Sequence, residues 1–225
     1  MAGASMATRK YGRARIRALV TGFEPFGDDP RNPSVDAIRR LPRRLGTLDL
    51  AVRELPTVFD RSRDLLARAV ADLAPDIVLC VGLAGGRAEL SLERVAVNID
   101  DAPIPDNAGF RPIDRAIVTG GPAAYFTTLP IKAAVAALRA AELPASISNS
   151  AGTYVCNHVF YELMHLVAIA EHSLCAGFLH VPYLPSQVSR HPGAPSMTLE
   201  EIVRGIQIVL SVTAARIAAG EGAIS

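Results

Sequence analysis

The chain of 225 residues contains no run of about 18 uninterrupted apolar residues, the length a membrane-spanning helix needs, so no membrane partner is expected. It also lacks a charge of one sign. The formal net charge is +1 and charged residues make up 20% of the chain, which predicts neither a disordered segment nor a surface built to hold nucleic acid. Cysteine is scarce. The three thiols, Cys80, Cys156 and Cys175, cannot all pair, and no CxxC spacing suggests zinc or redox chemistry. That usage suits a reducing cytoplasm. The start, MAGASMATRKYGRAR, carries basic residues but no apolar stretch and does not read as a secretory signal. Residues 1–14 read as a disordered leader, with Met6 an alternative initiator. Internal repeats, low-complexity tracts and convincing linkers are absent too, so residues 15–225 are expected to form a single domain.

What is present is an alternation of short β-rich runs and longer helical ones, with Gly and Pro at the joints. Strands are predicted at Arg15–Thr21, Asp49–Leu55, Asp76–Val81, Ala145–Ser148 and Leu174–Val181, with Leu90–Ile99 a longer, half-exposed one. Helices are predicted at Val35–Leu41 with Ser34 as cap, at Asp60–Leu73 with an apolar stripe from Leu65 to Leu73, around Ile131–Ala141, from about Thr153, and at Leu199–Ala218. Such alternation implies a three-layer α/β/α fold around a mainly parallel twisted sheet.

Among residues able to do chemistry, Cys80 and Cys175 sit inside apolar strands, where a thiol behaves as a small hydrophobe. Cys156 follows the small, polar stretch SNSAGTY and falls in the first turn of a helix. Unpaired backbone N–H groups there favour a thiolate and can hydrogen-bond an oxyanion, although from position alone a packed helix cysteine is the commoner reading. His158, His165 and His172 recur every seven residues, about 10.5 Å apart along a helix, too far for one metal, and read as a surface or interface stripe. His191 falls in an exposed-looking Pro/Gly loop. His180 ends a buried strand, where side chains of open α/β sheets line the ligand crevice, although a histidine satisfied by a backbone hydrogen bond at a strand end fits the position equally well. Glu93 reads from position alone as the solvated face of a strand, and Asp100, Asp101 and Asp106 as solvated or turn-capping groups. The turn VGLAGGR is weak evidence for anion binding and fits close packing as well.

Together these segments resemble the pyroglutamyl peptidase I family, also called pyrrolidone-carboxylate peptidases, from Ala18 to the last helix. VTGFEPFGDDPRNPS resembles that family's first strand and substrate loop. SNSAGTYVCNHVFYELMH is similar to its nucleophile segment, FLHVPYLPSQ to its histidine segment, and VGLAGGR with ERVAVNIDDAPIPDNAG to the stretch supplying a third catalytic residue. The resemblance implies a cytoplasmic thiol peptidase that removes N-terminal pyroglutamate from peptides, without cofactor or metal, assembled as a homotetramer. It implies a triad of Cys156, His180 and Glu93, and a ring pocket at Phe23 and Phe26 with Ile104 nearby and Leu83 beside the substrate.

Two positions depart from the family pattern, which usually reads GQAGGR and DARIPDN. Leu83 removes a polar neighbour of the substrate. Pro103 removes a positive charge near the reacting carbonyl, leaving the oxyanion to backbone N–H groups with help from Arg87. The alternatives are a nucleoside phosphorylase-like enzyme, which would leave Cys156 idle, and a pyroglutamyl-binding homologue with little turnover.

Overall fold

Continuous apolar runs occupy the centre of the sheet, because strands covered on both faces have no solvent side to accommodate polar residues. The computed structural model describes residues 15–170 and 173–220; the leader expected over residues 1–14 and His172 lie outside them. The strands are β1 (Ile16–Phe23), β2 (Arg44–Leu45), β3 (Leu48–Leu55), β4 (Ile77–Leu83), β5 (Leu90–Glu93), β6 (Val95–Val97), β7 (Ala124–Phe126), β8 (Ala145–Ser148) and β9 (Cys175–Val181). The helices are α1 (Pro33–Ile38), α2 (Phe59–Leu73), α3 (Ile131–Ala140), α4 (Val155–Ile169) and α5 (Leu199–Ala218).

Seven strands form one sheet in the order β2-β3-β1-β4-β9-β5-β8. The pairs β3/β1, β1/β4, β4/β9 and β5/β8 are parallel; β2/β3 and β9/β5 are antiparallel. The architecture is thus the expected α/β class with a mainly parallel sheet. One face carries α1, α3 and α5 on Val20, Leu79, Val81 and Leu179; the other carries α2 and α4 on Leu19, Val78, Cys80, Ala176 and Phe178. Each fully buried Leu, Val or Phe in these layers contributes roughly 1.5–3 kcal/mol of transfer free energy.

Four expectations need correction. The run Leu90–Ile99 is two strands: β5 ends at Glu93 in the main sheet, while β6 pairs antiparallel with β7 in a separate two-stranded sheet. All four residues of β5 are buried, so its alternation does not mark a solvent face. The cap of α1 is Asn32, whose side chain accepts from Ser34 N; Ser34 Oγ instead accepts from Phe23 N and donates to Asn32 Oδ1. On α2 the buried residues are Phe59, Ser62, Leu66 and Ala69, and Leu65 is 41% exposed. Finally, His158 is not part of a surface stripe. It is buried, with Nδ1 3.0 Å from Asp100 Oδ2, because the loop carrying Asp100 folds back over the start of α4.

Candidate active site

Strand parity decides which side chains meet. On β9, Ala176 and Phe178 face α2 and α4, so His180 faces the same layer at the carboxyl end of the strand. On β5, Leu90 and Leu92 face the opposite layer, which turns Glu93 toward His180. On β4, Val78 and Cys80 face α4, so Gly82 does too; its Cα is the register partner of His180. A Cβ built on Gly82 would lie 2.9 Å from Cys156 Sγ. Only a glycine leaves room there for the sulfur, which sits over the sheet at the second residue of α4.

His180 Nδ1 is 2.7 Å from Glu93 Oε1, and both side chains are almost fully buried. An ionised carboxylate only accepts, so Nδ1 carries the proton and Nε2 keeps its lone pair. Arg87 Nη1 donates to the same Oε1 at 2.7 Å, and its Nη2 donates to Ser150 O at 3.1 Å. Burial alone pushes the Glu93 carboxyl up, but the hydrogen bond and charge of His180, with Ser148 and Arg87, outweigh it and hold Glu93 below the usual carboxylate range. For His180 the balance differs. Burial pushes its pKa down, Glu93 opposes this, and the Arg87 cation adds to it, so the ring is held neutral below its ordinary titration range.

The thiol departs from expectation. Although Cys156 keeps some exposure to the cavity, protein packs closely around the sulfur; this burial, then the Glu93 charge, pushes its pKa up to about 12 against the opposing pull of Arg87. The helix start therefore does not give a resting thiolate. No side chain caps α4, whose N-cap residue is Tyr154, so its first-turn N–H groups stay available to an incoming anion.

Cys156 and His180 open into a cavity of about 450 Å³ whose walls include Phe23, Phe26, Asn32, Thr57, Leu83, Arg87, Pro103 and Tyr154. Phe26 and Tyr154 meet with ring centroids 6.0 Å apart. Of the residues expected around the substrate, Phe23, Phe26 and Leu83 line this cavity. Ile104 does not. Its side chain is 41% exposed, and its neighbour Pro103 forms the wall. Tyr154, Asn32 and Thr57 escape sequence reasoning, because a wall made of single residues from separate loops has no periodicity.

The carboxylates assigned to solvent are also relocated. Glu93 and Asp100 are fully buried, the latter paired with His158 and with Arg115 Nη2 at 2.8 Å. Asp106 does cap turns, accepting from Ala108 N and Phe110 N, but it is buried and also holds Phe59 N. His191 is half-buried, stacked on Tyr183 with centroids 4.1 Å apart and 3.1 Å from Asp29.

Comparison with known proteins now decides the family. A profile of the pyroglutamyl peptidases matches residues 16–216. The chain belongs to the pyroglutamyl peptidase family. It is 57% identical over 201 residues to pyrrolidone-carboxylate peptidase 1 of Ralstonia nicotianae, covering 88% of this chain and 93% of that one. With the pyrrolidone-carboxylate peptidase of Streptococcus suis the identity is 49% over 195 residues, covering 87% and 91%. Among solved structures, pyroglutamyl peptidase I of Bacillus amyloliquefaciens superposes with a TM-score of 0.87 at 42% identity, covering 89% of this chain and 98% of that one. Pyrrolidone carboxyl peptidase of Thermococcus litoralis gives 0.89 at 39%, covering 93% and 98%. Family, fold and cysteine-peptidase class thus agree with the sequence resemblance, and a nucleoside phosphorylase-like enzyme is not favoured. Among the described residues, no helix is long and apolar enough to cross a membrane.

Proposed function

We propose that this pyroglutamyl peptidase family member hydrolyses the amide bond after an N-terminal pyroglutamyl residue, with Cys156 as nucleophile, His180 as base and Glu93 orienting the imidazole. The observation that carries this reading is the 2.7 Å bond from His180 Nδ1 to Glu93 Oε1 at the cavity holding Cys156. At rest both thiol and imidazole are neutral. As the sulfur attacks the carbonyl carbon, its proton passes to His180 Nε2, and Glu93 stabilises the imidazolium. The C–N bond breaks with that proton delivered to the leaving amine, giving a thioester on Cys156. Water then attacks the thioester with His180 again as base, releasing pyroglutamate and the thiol.

The uncapped start of α4 supplies N–H donors for the oxyanion of each tetrahedral intermediate. Phe23, Phe26 and Tyr154 give the apolar walls a flat lactam ring needs, while Asn32 and Thr57 add polar atoms. The proposed substrates are pyroglutamylated peptides, the compartment a reducing cytoplasm consistent with three free thiols, and the assembly a homotetramer open to light-scattering measurement.

The test is hydrolysis of a pyroglutamyl fluorogenic amide beside a prolyl one, by wild type and Cys156→Ala. Proline lacks the lactam carbonyl and should be rejected, since it leaves pocket polar groups unpaired. Comparable kcat/KM on both amides refutes the pocket, wild-type turnover by Cys156→Ala refutes the nucleophile, and binding without turnover supports the weakly active alternative.

A further inference from the structure

Glu93 is a fully buried carboxylate whose Oε1 receives two donors while its Oε2 has no well-formed hydrogen bond, the nearby Ser148 hydroxyl being turned to Ser150 O. One donor is His180. The other is Arg87, and the chain goes to some length to bring it there. Gly86 takes φ +86° and Arg87 N closes the turn on Ala84 O, while a Cβ on Gly85 would run into the Tyr183 ring. This tight turn sends the guanidinium back across the end of the sheet. Its second nitrogen reaches Ser150 O, in the segment that leads into the nucleophile helix.

We propose, resting on the function assigned above, that Arg87 is a positioning residue which acts through Glu93 on His180 and holds both in register with the Cys156 helix. The geometry supplies two effects. Fork contacts to Glu93 and Ser150 fix the carboxylate so that Oε1, rather than the unpartnered Oε2, meets the imidazole. The permanent cation also offsets the Glu93 charge, so the imidazolium formed during attack is stabilised without being trapped. An imidazolium bound too tightly would be slow to give its proton to the leaving amine. With two of its nitrogens so engaged, Arg87 is not arranged chiefly as the oxyanion donor expected from sequence.

The distinguishing readout is the pH profile. Removing the cation eliminates one influence that disfavours protonated His180 and frees more of the Glu93 charge to favour it. Both changes make His180 easier to protonate. Arg87→Gln should therefore move the acid limb of kcat/KM to higher pH and lower kcat about tenfold, a fraction of the roughly 10²–10⁴-fold that general acid–base catalysis supplies in full, with KM nearly unchanged. Arg87→Lys keeps a cation but loses the fork, so it should lower kcat without moving the limb. If Arg87→Gln does not fold, Arg87→Met, uncharged and of similar stem length, is read in the same way. An unmoved limb in the uncharged variant overturns the proposal, as does a rise in KM in place of the fall in kcat. Wild type inactive on the pyroglutamyl amide would instead refute the underlying function, which keeps the two failures apart.

Discussion

Gly82→Ala puts one methyl group where the site has no room. Its Cβ would lie 2.8 Å from Phe178 Cζ and 2.9 Å from Cys156 Sγ. Carbon contacts are optimal at roughly 3.5–4.0 Å, so both contacts must open by at least about 0.6 Å. Phe178 cannot easily retreat. It is fully buried, with Phe23, Phe160 and His180 at ring-centroid distances of 6.2, 5.9 and 4.7 Å. The sulfur faces the cavity and yields the more readily of the two, while the Phe178 contact is relieved by a small shift of the strand that carries the new methyl. Overpacking of this kind costs about 1–3 kcal/mol of stability, whereas a displacement of about 1 Å from attack geometry costs on the order of 10²-fold in rate. Gly82→Ala should therefore remain folded, with kcat on a pyroglutamyl amide down about 10²-fold. Thermal unfolding and the rate of thiol alkylation are measured beside it. Gly205→Ala is the control: its Cβ would crowd Leu90 Cδ1 in the other layer, so it should lose stability but not kcat. Wild-type kcat in a folded Gly82→Ala would refute the placement of the sulfur over the sheet.

Three further outcomes follow from the same geometry. Glu93→Gln removes the charge that favours protonated His180 and leaves only a weaker, neutral acceptor for Nδ1–H, so the acid limb of kcat/KM should move to lower pH, opposite to the effect of removing Arg87, while kcat falls; a shift to higher pH contradicts this balance. Cys80→Ala and Cys175→Ala, at thiols buried in β4 and β9 with burial pushing both pKa values up, should lower the unfolding midpoint and leave kcat within about twofold of wild type, cavity formation being their main consequence. Pro103→Arg returns a cation to the cavity wall and should raise kcat/KM by less than the roughly 10²–10³-fold that one oxyanion donor supplies, while Leu83→Gln should mainly lower KM. Steady-state kinetics that improve in neither variant would mean the site has adapted to both residues.

The elements that local pattern dictates were legible in the sequence. Continuous apolar runs gave β4 and β9, the strand Ala145–Ser148 and helix Leu199–Ala218 have the expected bounds, and Cys156 does open a helix. Pairing across the fold was not legible. Leu90–Ile99 alternates as one strand would, yet strand bonding passes to a different sheet after Glu93, a switch set by β7 some 30 residues away. Glu93 itself illustrates the limit. A carboxylate on an alternating strand is ordinarily solvated, and only the resemblance marked it as a site residue; its burial depends on His180, 87 positions later, and on Arg87 from a separate turn. The same holds for Asp100 and His158, each read as a surface group because neither sequence neighbourhood reveals the other.

The charges at the site explain why these distant groups occur together. At rest Glu93 is −1, Arg87 is +1, and Cys156 and His180 are neutral, so the four groups sum to zero. Moving the proton from thiol to imidazole creates one charge of each sign and leaves the sum at zero. A buried site pays several kcal/mol per uncompensated ion, so a reaction coordinate that never changes the net charge avoids that cost. The helix start then need not ionise the thiol in advance. Its N–H groups are better used on the oxyanion, which appears only when the carbonyl is attacked, and stabilisation confined to that moment lowers the barrier without deepening the ground state. A thiol held neutral at about 12 is on this view an asset of the site, because the sulfur acquires its charge only once His180, Glu93 and Arg87 are in place to balance it.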